Sequence, residues 1–155
     1  MKRYGLATLT ILIGLILGNE NMVSAAQYLE RTPRQNERAF SPAVITEGGK
    51  MIWLAGHGGL EEADGKTNAG DFESQARAAF AAIDRTLKRA GGSLENIVYM
   101  TVFIRDVRFG EDFVKIRREM FPKGNFPGST LVTVSGFSRP GMLLEIAPIA
   151  VIDAK

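Results

Sequence analysis

The sequence predicts one α+β domain whose elements run ββαβαββ, a mixed sheet with two helices packed on one face. Short runs rich in β-branched and aromatic residues alternate with two segments whose apolar residues recur every three to four positions. The composition, 45% hydrophobic and 23% charged over 155 residues, is that of a single globular domain. The stretch Ile97 to Ile104 is apolar on both faces, as expected of a strand covered on each side. With both helices on one face, a second subunit is expected to cover the other.

Taken in order, Lys2 and Arg3 precede an apolar run from Leu6 to Leu17, and Val23-Ser24-Ala25 offers small residues before Ala26-Gln27. This is the charged, apolar, small-residue layout of a secretory signal peptide. The run is shorter than the roughly 20 residues that span a bilayer, so residues 1–25 are expected to be removed on export to the periplasm or beyond, leaving no membrane anchor. Residues 26–39 are polar and rich in Arg and Glu without periodicity, and read as an extended N-terminal arm carrying no motif. The folded domain then spans residues 40–155.

Ala43-Val44-Ile45 and Met51-Ile52-Trp53-Leu54-Ala55 are separated by Glu47-Gly48-Gly49-Lys50, which suits a β-hairpin with positive φ in its turn. Gly56-His57-Gly58-Gly59 opens a long loop in which backbone can approach a ligand without interference from Cβ atoms. Asp71 is placed to cap a helix whose face carries Phe72, Ala76, Ala79, Phe80, Ile83, Leu87 and Ala90, with Glu73–Arg77 and Asp84–Lys88 pairs outside and Gly91-Gly92 at its end. The central strand Ile97–Ile104 follows. Phe109, Phe113, Ile116 and Met120 define a second helix stopped by Pro122. Runs from Thr130 to Ser135 and from Met142 to Ile152 complete the sheet, with Pro148 implying a bulge or an edge nearby.

Several function classes are excluded by residue type. Without cysteine, the chain has no disulfide, thiol nucleophile or thiolate metal site. A single histidine, His57, argues against a His-rich metal centre. A formal net charge of +2 gives no electrostatic case for nucleic acid. The basic clusters Lys88-Arg89 and Lys115, Arg117, Arg118 are read as solvated helix faces, because no exposed aromatics are interleaved with them. The six methionines are scattered and suggest packing.

Among the remaining polar residues Glu145 is the most informative. It shares a strand face with Leu143, Ala147, Ile149 and Val151, so it is expected to be partly desolvated and able to hold a water and move its proton. The competing expectation is a glutamate paired with an arginine or capped by backbone N–H groups. His57, just after a strand in a glycine-rich loop, is placed to reach a pocket but lacks a visible catalytic partner. The glycines around it are followed by neither a helix nor a Lys-Ser/Thr pair, which argues against a phosphate loop.

Six stretches carry a resemblance: Phe40-Ser41-Pro42-Ala43-Val44, Leu54-Ala55-Gly56-His57, Gln75-Ala76-Arg77, Leu87-Lys88-Arg89-Ala90-Gly91-Gly92-Ser93-Leu94, Thr101-Val102-Phe103-Ile104-Arg105-Asp106 and Glu145-Ile146-Ala147-Pro148-Ile149-Ala150. Together, from about Phe40 to Val151, they resemble the Rid family, also called YjgF or RidA. The resemblance implies a chorismate-mutase-like homotrimer with a barrel-like centre and ligand pockets at its three subunit clefts. It also implies hydrolysis, without metal or cofactor, of reactive 2-imino acids or their enamine tautomers to 2-oxo acids and ammonia. In the family an arginine clamps the substrate carboxylate while a glutamate and backbone carbonyls place water at the imine carbon.

By correspondence Glu145 is that glutamate. Phe40 stands where a tyrosine is usual, Gly56 matches the glycine whose backbone faces the ligand, Ala55 stands where serine is common and His57 where glutamine is common. Pro127-Gly128-Ser129-Thr130 departs from the Pro-Ala-Arg-Ser/Thr pattern, so the carboxylate-binding arginine becomes Ser129, which cannot supply a charged bidentate fork. Leu131 replaces a frequent cysteine and Lys115 a frequent asparagine. Lys115, by correspondence, and Arg117, which flanks the apolar stripe of the second helix, are the cations considered as replacements, although helical spacing turns Lys115 away from that stripe.

The expectation is thus a periplasmic or secreted hydrolase acting on the C=N bond of a small imine, enamine or related metabolite, with Glu145 catalytic and Phe40, Gly56, His57 and Ser129 lining the pocket. The alternative is a non-catalytic trimer that binds a small metabolite or supports a partner protein. RNA cleavage, an older label of the family, ranks last because no His pair or basic groove supports it.

Overall fold

A computed structural model describes residues 26–153; the expected signal peptide, residues 1–25, lies outside the described residues. Nine elements follow one another: β1 (Ala26–Tyr28), α1 (Pro33–Glu37), β2 (Val44–Thr46), β3 (Lys50–Trp53), α2 (Phe72–Arg89), β4 (Ile97–Ile104), α3 (Gly110–Met120), β5 (Gly128–Thr133) and β6 (Leu144–Ile152). The main sheet has the order β3-β6-β4-β5. Its β3/β6 and β6/β4 ladders are antiparallel and its β4/β5 ladder is parallel. The mixed sheet and the ββαβαββ order of the domain are therefore as the sequence implies.

Alternation along the strands divides the sheet into two unlike faces. Met100, Val102 and Ile104 of β4 and Leu144, Ile146 and Ala150 of β6 are buried together with Phe80, Ile83 and Leu87 of α2 and Phe113 and Ile116 of α3. Both helices thus pack on one side. Asp71 caps α2, its carboxylate accepting from the Ser74 N–H at 3.0 Å, and Arg77–Glu73 and Lys88–Asp84 pairs brace the solvent side at 2.8 and 2.6 Å. On the opposite side of the sheet Trp53 is 73% and Met51 51% exposed, and Tyr99 and Val132 also face solvent.

Three expectations need correction. The segment read as a featureless arm forms β1 and α1. Thr32 caps α1 in a reciprocal box with Gln35, and Pro33 occupies the first turn, a Thr-Pro-x-Gln signature legible in the sequence. The strands flanking Gly48-Gly49 do not form a hairpin ladder, although both glycines have positive φ, 67° and 76°. Instead β2 pairs with β1 and β3 with β6, so the turn hands the chain from a small ribbon to the main sheet. That ribbon lays Ala26 and Val44 over Val98, Ile149 and Val151, covering from within the chain part of the face expected to need another subunit. Finally, β5 begins at Gly128, two residues early, because its ladder starts with Tyr99 opposite Gly128. A Cβ at Gly128 would lie 3.1 Å from the Tyr99 ring.

Pro148 sits inside β6, between β3 and β4, rather than at an edge. The expected irregularity is nearby: the β4/β6 register shifts between Ile97 and Tyr99, opposite Ala150 and Ile149.

Candidate functional site

The site residues expected from sequence fall into two groups in the chain. Phe40 and Ser129 line one cleft of about 390 Å³ together with Ser41, Val44, Met51 and Tyr99. Gly56, His57 and Glu145 lie together elsewhere. Along β4, Met100 pairs with Ser129 and Phe103 with Glu145, three positions or roughly 10 Å apart. Three is odd, so the two side chains leave the sheet on opposite faces: Ser129 on the helix side, Glu145 on the open side.

The Glu145 group is built by backbone pairing. His57 donates its N–H to the Ile146 carbonyl at 2.9 Å and accepts from the Ile146 N–H at 3.0 Å, which extends the β3 side of the ladder past Trp53. This brings Gly56 against the Glu145 carboxylate. A Cβ at Gly56 would lie 2.3 Å from Glu145 Oε1, so the glycine lets the carboxylate rest on the main chain. Glu145 is half-buried, and among the described residues no hydrogen bond or ion pair engages its carboxylate. The expectation of a glutamate paired with an arginine or capped by N–H groups is not met. The His57 imidazole is half-buried too, and burial holds its pKa below the ordinary value; the charge of Arg85 lowers it further and that of Glu145 opposes both.

Not every loop glycine serves this site. Gly59 has φ +60°, and a Cβ there would lie 1.9 Å from the Gln75 carbonyl oxygen of α2, so this glycine admits helix backbone rather than ligand. Gln75 itself is fully buried. Its side-chain N–H groups donate to the carbonyls of Asn68 and Gly141 at 2.8 and 2.7 Å, and its Oε1 accepts from the Leu143 N–H at 2.9 Å. It thereby fixes the entry of β6 two residues before Glu145.

The Ser129 group contains the residue whose position the sequence reading misplaced. Arg117 is not on a solvated helix face: it is 3% exposed, on the side of α3 that meets the sheet. Its Nη1 donates to Ser129 Oγ and its Nη2 to the Arg38 carbonyl at 2.7 Å, while the guanidinium stands 5.4 Å from the centre of the Phe113 ring. Its Nε is buried without a partner. Burial, with Arg38 and Arg118 adding repulsion, lowers its pKa to about 10. Arg118 is likewise engaged, donating to the carbonyls of Asn36 and Glu37 at the end of α1 at 2.7 and 2.6 Å. Lys115 and Arg118 are exposed, as expected of a solvated face. The available signal for Arg117 was its spacing, four residues after Phe113 and next to Ile116 on the apolar stripe.

Among the described residues no group of three or more His, Cys, Asp and Glu side chains is placed to hold a metal ion, and no helix is long and apolar enough to cross a membrane.

A four-stranded mixed sheet with two helices on one face, an apolar open face and a carboxylate on that face define the class: a chorismate-mutase-like α+β domain. The profile of the family described as Endoribonuclease L-PSP matches residues 31–152, and the chain belongs to this family, the Rid/YjgF family. The 3-aminoacrylate deaminase RutC of Acinetobacter baylyi is 30% identical over 119 residues, covering 76% of this chain and 93% of its own. The human 2-iminobutanoate/2-iminopropanoate deaminase is 27% identical over 112 residues, 72% of this chain and 79% of its own. The crystal structure of the Rid family protein YyfB from Yersinia pestis superposes with a TM-score of 0.75 at 17% identity, covering 83% of this chain and all of that one; it is a likeness of fold alone. With relatives named as deaminases, the function at the level of the family is deaminase-like.

Proposed function

We propose that this chain is a cofactor-independent hydrolytic deaminase of small imines or enamines, and that Glu145 holds the attacking water. The observation that carries this reading is the Glu145 carboxylate itself, half-buried against Gly56 with no hydrogen bond or ion pair among the described residues. Such a group can accept a proton from water as its oxygen bonds to the imine carbon and return it to nitrogen; the hydroxyl of the resulting carbinolamine then gives its proton to nitrogen by the same route as the C–N bond breaks and the carbonyl forms. The products are a carbonyl compound and ammonia. Burial favours the neutral imidazole of His57, so the histidine itself sets no positive charge against the carboxylate.

The cleft lined by Phe40 and Ser129 lies apart from Glu145 in the chain, a separation that supports a site assembled between copies, and the exposed Trp53, Met51, Tyr99 and Val132 supply apolar surface for that contact. A homotrimer places the Phe40–Ser129 cleft of one copy against the Glu145 face of the next. Residues 1–25 act, on this reading, as a cleaved export signal; the N-terminal sequence of exported protein is expected to begin at Ala26, and an intact Met1 contradicts it.

A second reading has its own observation. Ser129, in place of a charged fork, favours a trimer that binds a small metabolite without turning it over. One experiment separates the two: 2-imino acids generated in situ by an amino-acid oxidase are followed by trapping, with and without the protein. Faster loss of imine with matching release of ammonia, abolished in Glu145→Gln, is the result expected; loss at the no-protein rate sinks the deaminase.

A further inference from the structure

Removal of residues 1–25, on the reading proposed above, gives the mature chain a charge that its precursor lacks. Hydrolysis of the Ala25–Ala26 bond adds one water and leaves a carboxylate on Ala25 and an ammonium on Ala26. Ala26 belongs to β1, where it pairs with Thr46 of β2 and packs over Val98 and Val151. It also forms part of the wall of a cavity of about 160 Å³, together with Tyr28, Glu95, Asn125 and Asp153. Both ionised side chains in this wall are carboxylates. Lys123, 3.6 Å from Glu95 and largely exposed, balances one of them. The Glu95 charge is felt inside the cavity: burial, and after it this carboxylate, hold the Tyr28 phenol above its ordinary pKa. Asn96, also in the wall, is committed, donating to the Val151 carbonyl at 3.3 Å and accepting from the Ser93 N–H at 2.9 Å.

We propose that the ammonium created at Ala26 docks in this cavity against Glu95 and Asp153, so that removal of the export signal fastens β1 and with it one wall of the Phe40–Ser129 cleft. An ammonium has three N–H donors, and the carboxylates of Glu95 and Asp153 with the amide oxygen of Asn125 offer three acceptors. Its charge, added to that of Lys123, matches the two carboxylates. In the precursor the Ala26 nitrogen is a neutral amide, and the pair does not exist. The link to the cleft is one of register. Ala26 and Tyr28 stand opposite Thr46 and Val44, and both of these β2 residues line the cleft. A ribbon of two strands with three residues each holds weakly by itself, so an ion pair at its end bears directly on how firmly that wall is set.

The inference rests on the export reading, and its test is kept separate from it by using protein that begins at Ala26, released from a fusion. With carbon-13 in Ala26, an NMR titration is expected to show the amine holding its proton roughly tenfold more tightly than an ordinary α-amino group, whose pKa is about 8. Glu95→Gln combined with Asp153→Asn is expected to restore the ordinary value. Acetylation of the Ala26 nitrogen removes the charge without any substitution, and is expected to speed hydrogen exchange of the β1 amides roughly tenfold while leaving those of α2 unchanged. An ordinary titration of Ala26, an elevated one that persists without both carboxylates, or β1 exchange indifferent to acetylation overturns the proposal. If the double variant does not fold, the acetylated protein decides. Exported protein that begins at another residue contradicts the export reading, whereas the docking of the ammonium stands or falls on the Ala26 form.

Discussion

Arg117 and Glu145 are both charged groups without an oppositely charged partner among the described residues, and the fold treats them in opposite ways. The guanidinium is sealed between α3 and β5, its Nη atoms committed to Ser129 and the Arg38 carbonyl. The carboxylate lies half-open on the other face of the same sheet, against a glycine and with nothing bonded to it among the described residues. A buried charge that is hydrogen-bonded can tune what a pocket accepts, but it cannot move. An unbonded carboxylate at a surface awaiting a neighbour can gain a water, lose it and exchange a proton. The contrast sets a fixed cation between α3 and β5 against an open carboxylate on the other face of the sheet.

The sharpest way to separate scaffold from site is through two glycines three residues apart. Gly59→Ala combines a positive φ of +60° with a Cβ 1.9 Å from α2 backbone, so it is expected to destabilise the fold by about 3 kcal/mol or more, read as a lowered urea midpoint. Gly56→Ala meets only the flexible end of Glu145. Its stability cost is expected to stay near 1 kcal/mol, while displacement of the carboxylate cuts imine turnover about a hundredfold. Equal loss of stability in both would mean that Gly56 is scaffold as well.

A smaller effect reads the electrostatics of the Glu145 group. The His57 pKa is held below its ordinary value by burial, so the unfolded chain takes up this proton first as the pH falls. The contribution of His57 to stability is therefore intact above about pH 6.5 and diminishes below it. In a proton NMR titration of the imidazole, Glu145→Gln is expected to move the midpoint further down, and Arg85→Ala to move it up, since these charges act with opposite sign. A midpoint unchanged by Glu145→Gln would mean that the carboxylate does not face the histidine.

Much of this was legible because local and global signals agree. The Asp71 cap, the ion pairs along α2, the apolar stripe of α3 and the two-sided apolar β4 each name their element and its partner. Alternation along β6 placed Glu145 correctly with Ala147 and Ile149, although these neighbours proved half-buried rather than core. What failed has a physical reason in each case. The Gly48-Gly49 turn has the backbone of a hairpin, but pairing is decided by what lies beside each strand, and β1 came from a segment dismissed for its polarity. For Arg117 the sequence carries two opposed signals, a basic cluster that suggests a solvated face and a place beside the α3 apolar stripe, and the stripe with its Phe113 ring prevails. Whether Ser129 and Glu145 share a cleft depends on register across three strands, which no local pattern carries.

The proposal that each site is assembled between copies of the chain is tested most directly by mixing subunits. Glu145→Gln and Arg117→Met proteins, each expected to be inactive on 2-imino acids, are unfolded together in equal amounts, refolded and assayed. In a homotrimer with each cleft shared by two neighbours, about a quarter of the clefts combine an intact Arg117 with an intact Glu145, and turnover is expected to recover to about that fraction of the wild type. Mixed assemblies, verified by mass, with no more activity than the two variants alone would contradict it.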